Sequence, residues 1–182
     1  MQPYDFTPLL ETNRLQLRSL VAEDAEAISV LRSDPQVNIY LNRPATLTIE
    51  EATAYISKIA TGIQQHYWMY WAIAAKTSPV LIGTICLWNF VPENDKAEIG
   101  YELSPAYQGK GLMQEAVEAV IRFGFEEMRL QLITALVKSG NEKSVQLLER
   151  HHFRPDHFNQ YVSKEEAGEF VVFYLLNRHQ PR

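Results

Sequence analysis

The stretch from residue 96 to 137 constrains the fold most. Lys96–Leu103 alternates with period two, placing Glu98, Gly100 and Glu102 on one face and Ile99, Tyr101 and Leu103 on the other. It leads through Ser104 and Pro105 into Gln108-Gly109-Lys110-Gly111-Leu112-Met113. A helix follows, with apolar residues at 113, 116, 117, 120, 121, 124 and 128. Leu132–Val137 is then apolar on both faces, as a strand covered on both sides must be. Strand, glycine turn, helix and buried strand form a βαβ unit, because the helix provides the crossover that a parallel pair requires.

The rest of the chain builds outward from this unit. Thr12–Leu20 reads as a strand and Glu23–Arg32 as a helix with apolar residues at 25, 28 and 31. Thr48-Ile-Glu-Glu51 is a capping box opening a second helix, whose apolar face is Ala52, Tyr55, Ile56, Ile59 and Ile63. Trp68–Ala75, Val80–Phe90 and Lys96–Leu103 are β-rich runs split by the turns Lys76–Pro79 and Pro92–Asp95. A short helix from Glu142 to His151 and strands near Phe158–Ser163 and Phe170–Leu176 complete the chain. The sequence therefore predicts an α/β fold, a mixed sheet with helices on both faces, in a single domain over residues 10–177.

Composition removes several function classes. The formal net charge of −5 lacks the positive field of a nucleic-acid or anionic-membrane binder. No apolar run approaches the roughly 20 residues that cross a bilayer. The N-terminal Met1-Gln-Pro-Tyr-Asp-Phe has no secretory character, so a cytoplasmic location is expected. Cys86, the single cysteine, lies in an apolar run and reads as a small core residue. Tyr67, Trp68, Tyr70 and Trp71 read as strand core. Histidines 66, 151, 152, 157 and 179 form no ligand spacing, and no metal is expected.

The glycine loop is the strongest chemical signal. Glycines let backbone N–H groups face outward, and the helix N-terminus adds partial positive charge, so a phosphate suits the site. The spacing is neither that of the nucleotide P-loop nor that of the dinucleotide fingerprint, and Gly-x-Ser-x-Gly is absent. On the preceding strand, Glu98 is a carboxylate in a mostly apolar sheet. It is either a candidate general base or the partner of a neighbouring cation.

With the strand Ala97-Glu-Ile-Gly-Tyr-Glu-Leu103 before it, the loop resembles the pyrophosphate loop of the GNAT superfamily of acetyl-CoA-dependent N-acetyltransferases. Asn141-Glu-Lys-Ser144, followed by Leu147-Leu148-Glu149-Arg150 and Phe153, is similar to that superfamily's Asn-x-x-Ser helix motif. Glu11-Thr-Asn-Arg-Leu-Gln-Leu-Arg18 with Glu23-Asp24 resembles the opening of its RimJ/RimL-like, ribosomal-protein N-terminal acetyltransferase branch. Two positions depart from the pattern. Met113 stands where Gly or Ala is common, and either crowds the pyrophosphate or turns into the core. His152 stands where a glycine usually takes a left-handed helix cap.

The resemblance implies a GNAT-like sheet of about six to seven strands with about four helices. It implies acetyl-CoA as co-substrate in the wedge between the strands Ala97–Leu103 and Leu132–Val137. The expected cofactor contacts are Leu103, Gln108, Gly109, Lys110, Gly111, Leu112, Met113, Asn141 and Ser144. Lys110 and Gln108 either reach a phosphate or stay solvated, and Asn141 either caps its helix or bonds the pantetheine.

Acetyl transfer needs a neutral amine, a polarised thioester carbonyl and a proton for the thiolate. Glu98 is the expected base, directly or through water. A backbone N–H near Tyr101–Leu103 is the expected polariser, and Ser144 the expected acid, with Tyr101 as the weaker candidate. An α-amine of pKa about 7.8 costs about 1 kcal/mol to deprotonate at pH 7, against roughly 4.6 for a lysine-like amine. The family suggests a protein N-terminal α-amine as acceptor. A small amine such as a polyamine, amino acid or aminoglycoside would suit an acidic cleft of Glu93, Asp95, Glu98 and Glu102, and a non-catalytic acyl-CoA-binding module is the remaining alternative. A homodimer is left open.

Overall fold

The computed structural model describes residues 4–158, 160–162 and 169–177. Among the described residues eight strands form one mixed sheet: β1 (Leu10–Glu11), β2 (Leu15–Arg18), β3 (Trp68–Ala75), β4 (Leu81–Val91), β5 (Lys96–Leu103), β6 (Leu132–Lys138), β7 (Arg154–Pro155) and β8 (Phe170–Leu176). Their order is β1-β2-β3-β4-β5-β6-β8-β7. The α-helices are α1 (Ala25–Ser33), α2 (Pro35–Asn38), α3 (Ile49–Gln64), α4 (Leu112–Arg122) and α5 (Glu142–Arg150). The mixed α/β architecture is the expected one. The strand and helix counts exceed expectation because β1, β7 and α2 are too short to carry a sequence period.

The strand expected over Phe158–Ser163 does not form; the described residues 158 and 160–162 make turns and bends, and Ser163 lies outside the described residues. The Asp156 carboxylate accepts from the N–H groups of Gln160 (3.0 Å) and Tyr161 (2.9 Å), a local alternative to a strand ladder. Arg154–Pro155 pairs with β8 instead.

Amphipathic helices cover both faces. The Thr48 hydroxyl accepts from Glu51 N–H (3.2 Å) and the Glu51 carboxylate from Thr48 N–H (2.8 Å), so the capping box starts α3 as its spacing demands. α3 buries Ala52 and Ile56, with Ile28 and Leu31 of α1, against Ala72 and Leu81. On the opposite face α4 buries Ala116, Val117 and Val120 in a core with Trp71, Ile85, Leu87, Ala97 and Ile99, and Leu148 of α5 joins it.

One break in the sheet positions everything that follows. β5 and β6 run parallel and pair at Lys96↔Leu132, Ala97↔Ile133 and Glu98↔Thr134. Beyond Glu98, residues 99–103 pair only with β4, and residues 135–138 only with β8. The sheet thus opens toward the C-terminal ends of β5 and β6, where α4 and α5 begin.

Candidate active site

The glycine loop closes one end of this opening. Gly109 (φ +74°) and Gly111 (φ +73°) are both left-handed, and Gly111 is the N-cap of α4. A Cβ on Gly111 would meet Arg14 Nη2 at 3.4 Å, whereas Gly109 faces open space. Among the described residues no protein group accepts from the backbone N–H groups of Gly109 to Met113. Five donors at a helix start without partners fit an anion such as a pyrophosphate.

Side chains brace the loop more than they extend from it. Gln108 Nε2 donates to the Leu103 carbonyl (3.0 Å) and its Oε1 accepts from Lys143 Nζ (3.3 Å). Lys110 Nζ donates to the Ala106 carbonyl (2.8 Å) and lies 5.5 Å from the Tyr107 ring centre. Leu112 and Met113 pack against the core, so Met113 turns inward and leaves the loop uncrowded. From the turn between β1 and β2, Arg14 pairs with Glu115 and donates to the Lys110 carbonyl (2.9 Å), while the Thr12 hydroxyl donates to Glu115 (2.8 Å). Sequence reasoning missed Thr12, Arg14 and Glu115 because an ion pair 101 residues apart leaves no local spacing.

The two faces of β5 carry different chemistry. On the α5 side the Tyr101 hydroxyl is hydrogen-bonded to Ser144 Oγ at 2.7 Å, so the two candidate acids form one pair. Burial pushes the Tyr101 phenol up to about 12, partly offset by that bond, so it holds its proton at neutral pH. Asn141 Oδ1 accepts from Ser144 N–H (3.2 Å), the capping reading of that residue.

On the other face Glu98 is 6% exposed, and burial pushes its carboxyl up to about 7 despite the nearby amide of Asn89 and charge of Lys96. Asn89 sits at φ +51° in the β4 irregularity between Trp88 and Val91, which brings it beside Glu98. Neither Lys96 nor any other cation forms an ion pair with Glu98 among the described residues. Lys96 Nζ instead donates to the Tyr161 carbonyl (2.7 Å).

The expected acidic cleft does not form. Glu102 bonds Arg43 (2.6 Å), Arg32 (3.3 Å) and Thr84 (3.3 Å). Behind it the Tyr70 hydroxyl donates to Thr84 (2.9 Å), Tyr55 to Tyr70 (2.8 Å) and Arg32 to Tyr55 (3.2 Å). Two guanidiniums match one carboxylate, so this part of the face is not anionic. Glu93 and Asp95 lie in the turn before β5, at the end away from the opening. Arg32, Arg43 and the tyrosine chain were also invisible in the sequence, since Arg43 and Glu102 are 59 residues apart.

Burial pushes the Cys86 thiol up to about 12, which keeps it an inert core residue. Among the described residues no histidine, cysteine and carboxylate cluster is able to hold a metal ion, and no helix is long and apolar enough to cross a membrane.

Residues 14–154 match the family model described as an acetyltransferase (GNAT) domain. The chain is 34% identical over 172 residues to the uncharacterized N-acetyltransferase p20 of Bacillus licheniformis, covering 93% of this chain and 96% of that one. It is 34% identical over 149 residues to the uncharacterized N-acetyltransferase YoaA of Bacillus subtilis, covering 82% and 84%. The fold is shared with the GNAT-family acetyltransferase of Bacillus anthracis (TM-score 0.75, 24% identity, 93% and 98% covered). It is also shared with RimL, the ribosomal L7/L12 α-N-protein acetyltransferase in complex with coenzyme A (TM-score 0.78, 17% identity, 93% and 98% covered). The chain is an N-acetyltransferase of the GNAT family, a family that uses acetyl-CoA.

Proposed function

We propose that residues 10–177 act as one cytoplasmic domain that acetylates a primary amine, with Glu98 as base, the Tyr101–Ser144 pair as acid, and a protein N-terminal α-amine as acceptor. The observation that carries this reading is the opening of the sheet between candidate base and acid on opposite faces of β5. Two groups on opposite faces of a closed sheet serve no common reaction; a gap beside the strand lets one reacting centre meet both.

Acetyl-CoA supplies the acetyl group as a thioester and leaves as a thiol. The N–H groups of Gly109 to Met113 hold its pyrophosphate, with Gln108 and Lys143 fixing the loop and the Leu103 backbone beside the pantetheine. Glu98 accepts the proton that the amine loses as its nitrogen bonds the acetyl carbon. A base of pKa near 7 takes a proton from an α-amine near 7.8 at little cost, and from a lysine-like amine near 10.4 at several kcal/mol. When the carbon–sulfur bond breaks, the Tyr101 hydroxyl gives its proton to the sulfur and is resupplied through Ser144. Matching of Glu102 by Arg32 and Arg43 disfavours a polycationic acceptor, so the α-amine reading is preferred to a polyamine one.

The test is calorimetric titration with acetyl-CoA and, separately, dephosphorylated pantetheine, followed by thiol release with amine acceptors. Micromolar binding of acetyl-CoA, much weakened for the truncated compound, is expected. Equal affinity for both would refute the pyrophosphate loop, and binding without thiol release for any amine would leave an acyl-CoA-binding module.

A further inference from the structure

Arg43 carries an unused donor beside the opening. Its side chain is only 13% exposed, yet its five donors are unevenly spent. Nε donates to Asn38 Oδ1 (2.6 Å) and Nη1 to Glu102 (2.6 Å), while Nη2 is buried with no hydrogen-bond partner among the described residues. Buried donors in folded proteins are almost always paired, and an unpaired one calls for an explanation. Arg43 lies between α2 and α3, on a segment that the Tyr40 hydroxyl ties across the opening to the Gly140 carbonyl (2.9 Å). This segment therefore borders the face of β5 that carries Glu98, the face from which an amine would approach.

We propose that Arg43 Nη2 is an acceptor-recognition group that binds a carbonyl or carboxylate oxygen of the amine substrate, an inference that rests on the amine-acetylation reading above. Base at Glu98 and acid at Tyr101 place the reacting nitrogen near the level of Gly100, where the strand presents no side chain. Arg43 is held at the level of Glu102, two residues further along β5, or roughly 6 to 7 Å. An oxygen at that distance from the amine matches the second carbonyl of an extended peptide, the first lying within about 4 Å of its own nitrogen. A bare alkylamine or polyamine offers nothing to the group.

The test uses acetyl-CoA with two defined acceptors, the tripeptide amide Ala-Gly-Gly-NH2 and n-hexylamine, on wild type and Arg43→Lys. Lysine keeps a cation beside Glu102 but has no second guanidinium nitrogen. The expected result is a rise in KM for the tripeptide and a roughly 10- to 100-fold fall in the tripeptide-to-hexylamine ratio of kcat/KM, with calorimetric affinity for acetyl-CoA retained. The pKa difference between the two amines cancels in that comparison. A ratio that does not change, or equal losses for both acceptors, would overturn the proposal by reducing Arg43 to a structural ion pair. Failure of wild type to acetylate either amine while binding acetyl-CoA would overturn the amine-acetylation reading itself, and Arg43 recognition with it.

Discussion

Replacing Glu98 by Gln separates catalysis from stability in a single variant. Burial raises the Glu98 carboxyl from an ordinary 4.5 to about 7. Between those two pH values the unfolded chain releases the proton while the native protein keeps it, so stability falls as pH rises through the window and is flat above it. A displacement of about 2.5 pH units corresponds to about 3 kcal/mol, which ionised Glu98 takes from the native state at pH 8. Glu98→Gln has no charge to bury, so at pH 8 it should melt roughly 6 to 12 °C above wild type, and at pH 4.5 or below the gap should close. The same change removes the proposed base. Wild-type kcat at saturating amine, in which the free amine's own ionisation does not appear, should rise tenfold per pH unit up to about 7 and then level. The variant should lose 10²-fold or more and the limb with it. Denaturant unfolding at pH 5 and 8, with rates across the same range, gives both readouts. A variant that retains turnover sinks the base assignment; a stability difference that does not vary with pH sinks the buried-carboxyl argument beneath it.

Two further outcomes follow from the same geometry. Tyr101→Phe and Ser144→Ala should each lower kcat about 10- to 100-fold at little change in acetyl-CoA affinity, and the double variant should be no worse than the poorer single, because the two hydroxyls form one hydrogen-bonded unit; strictly additive losses in a double-mutant cycle would show that they act separately. His152 ends α5 at φ +65°, with His152 N–H bonding the Glu149 carbonyl (2.9 Å) and Phe153 N–H the Leu148 carbonyl (3.0 Å), a Schellman cap with histidine in the glycine position. Relief of that conformation in His152→Gly should stabilise the protein by about 1 kcal/mol, a rise in Tm of roughly 2–4 °C, and an unchanged Tm would contradict the strain.

What could be read from the sequence was local in range. The capping box at Thr48, the face of α3, the first turns of α4 and the alternation that isolates Glu98 are each written within a few residues, and the structure forms them as read; past Arg122 the α4 periodicity gives way to a π-helical turn, Phe123–Glu127, that buries Phe123 off the expected face. The left-handed cap at His152 was legible too, from a missing glycine. What lay beyond reach was set by chain segments meeting from afar. Arg14 and Glu115 pin the loop, Arg43 and Glu102 neutralise the expected cleft, and neither pair has a spacing that announces it. The failed strand at Phe158–Ser163 shows the opposite limit, where apolar residues suggested a ladder and one carboxylate, Asp156, drew the backbone into a turn.

The position of the site follows from a single feature of strand direction. Among the described residues, β5 and β6 are the one parallel pair in an otherwise antiparallel sheet. Only parallel neighbours bring two strand C-terminal ends side by side, and each of these strands is followed by a helix that starts there. Two helix N-termini therefore converge on one gap, which is where anionic ligands of open α/β sheets are held. The helices then divide the work by how their first turns are capped. α5 spends its Asn141 side chain on Ser144 N–H, which fixes the Ser144 hydroxyl toward Tyr101. α4 begins at a glycine with no side chain to cap it, so its N–H groups stay available to a phosphate. A capping Ser or Asp at position 111 would draw off one of those donors from within the chain, and the left-handed backbone there would disfavour it as well. The uncapped glycine start of α4 and the capped start of α5 are thus two halves of one arrangement, to which the proposed function assigns binding on one side of the gap and proton transfer on the other.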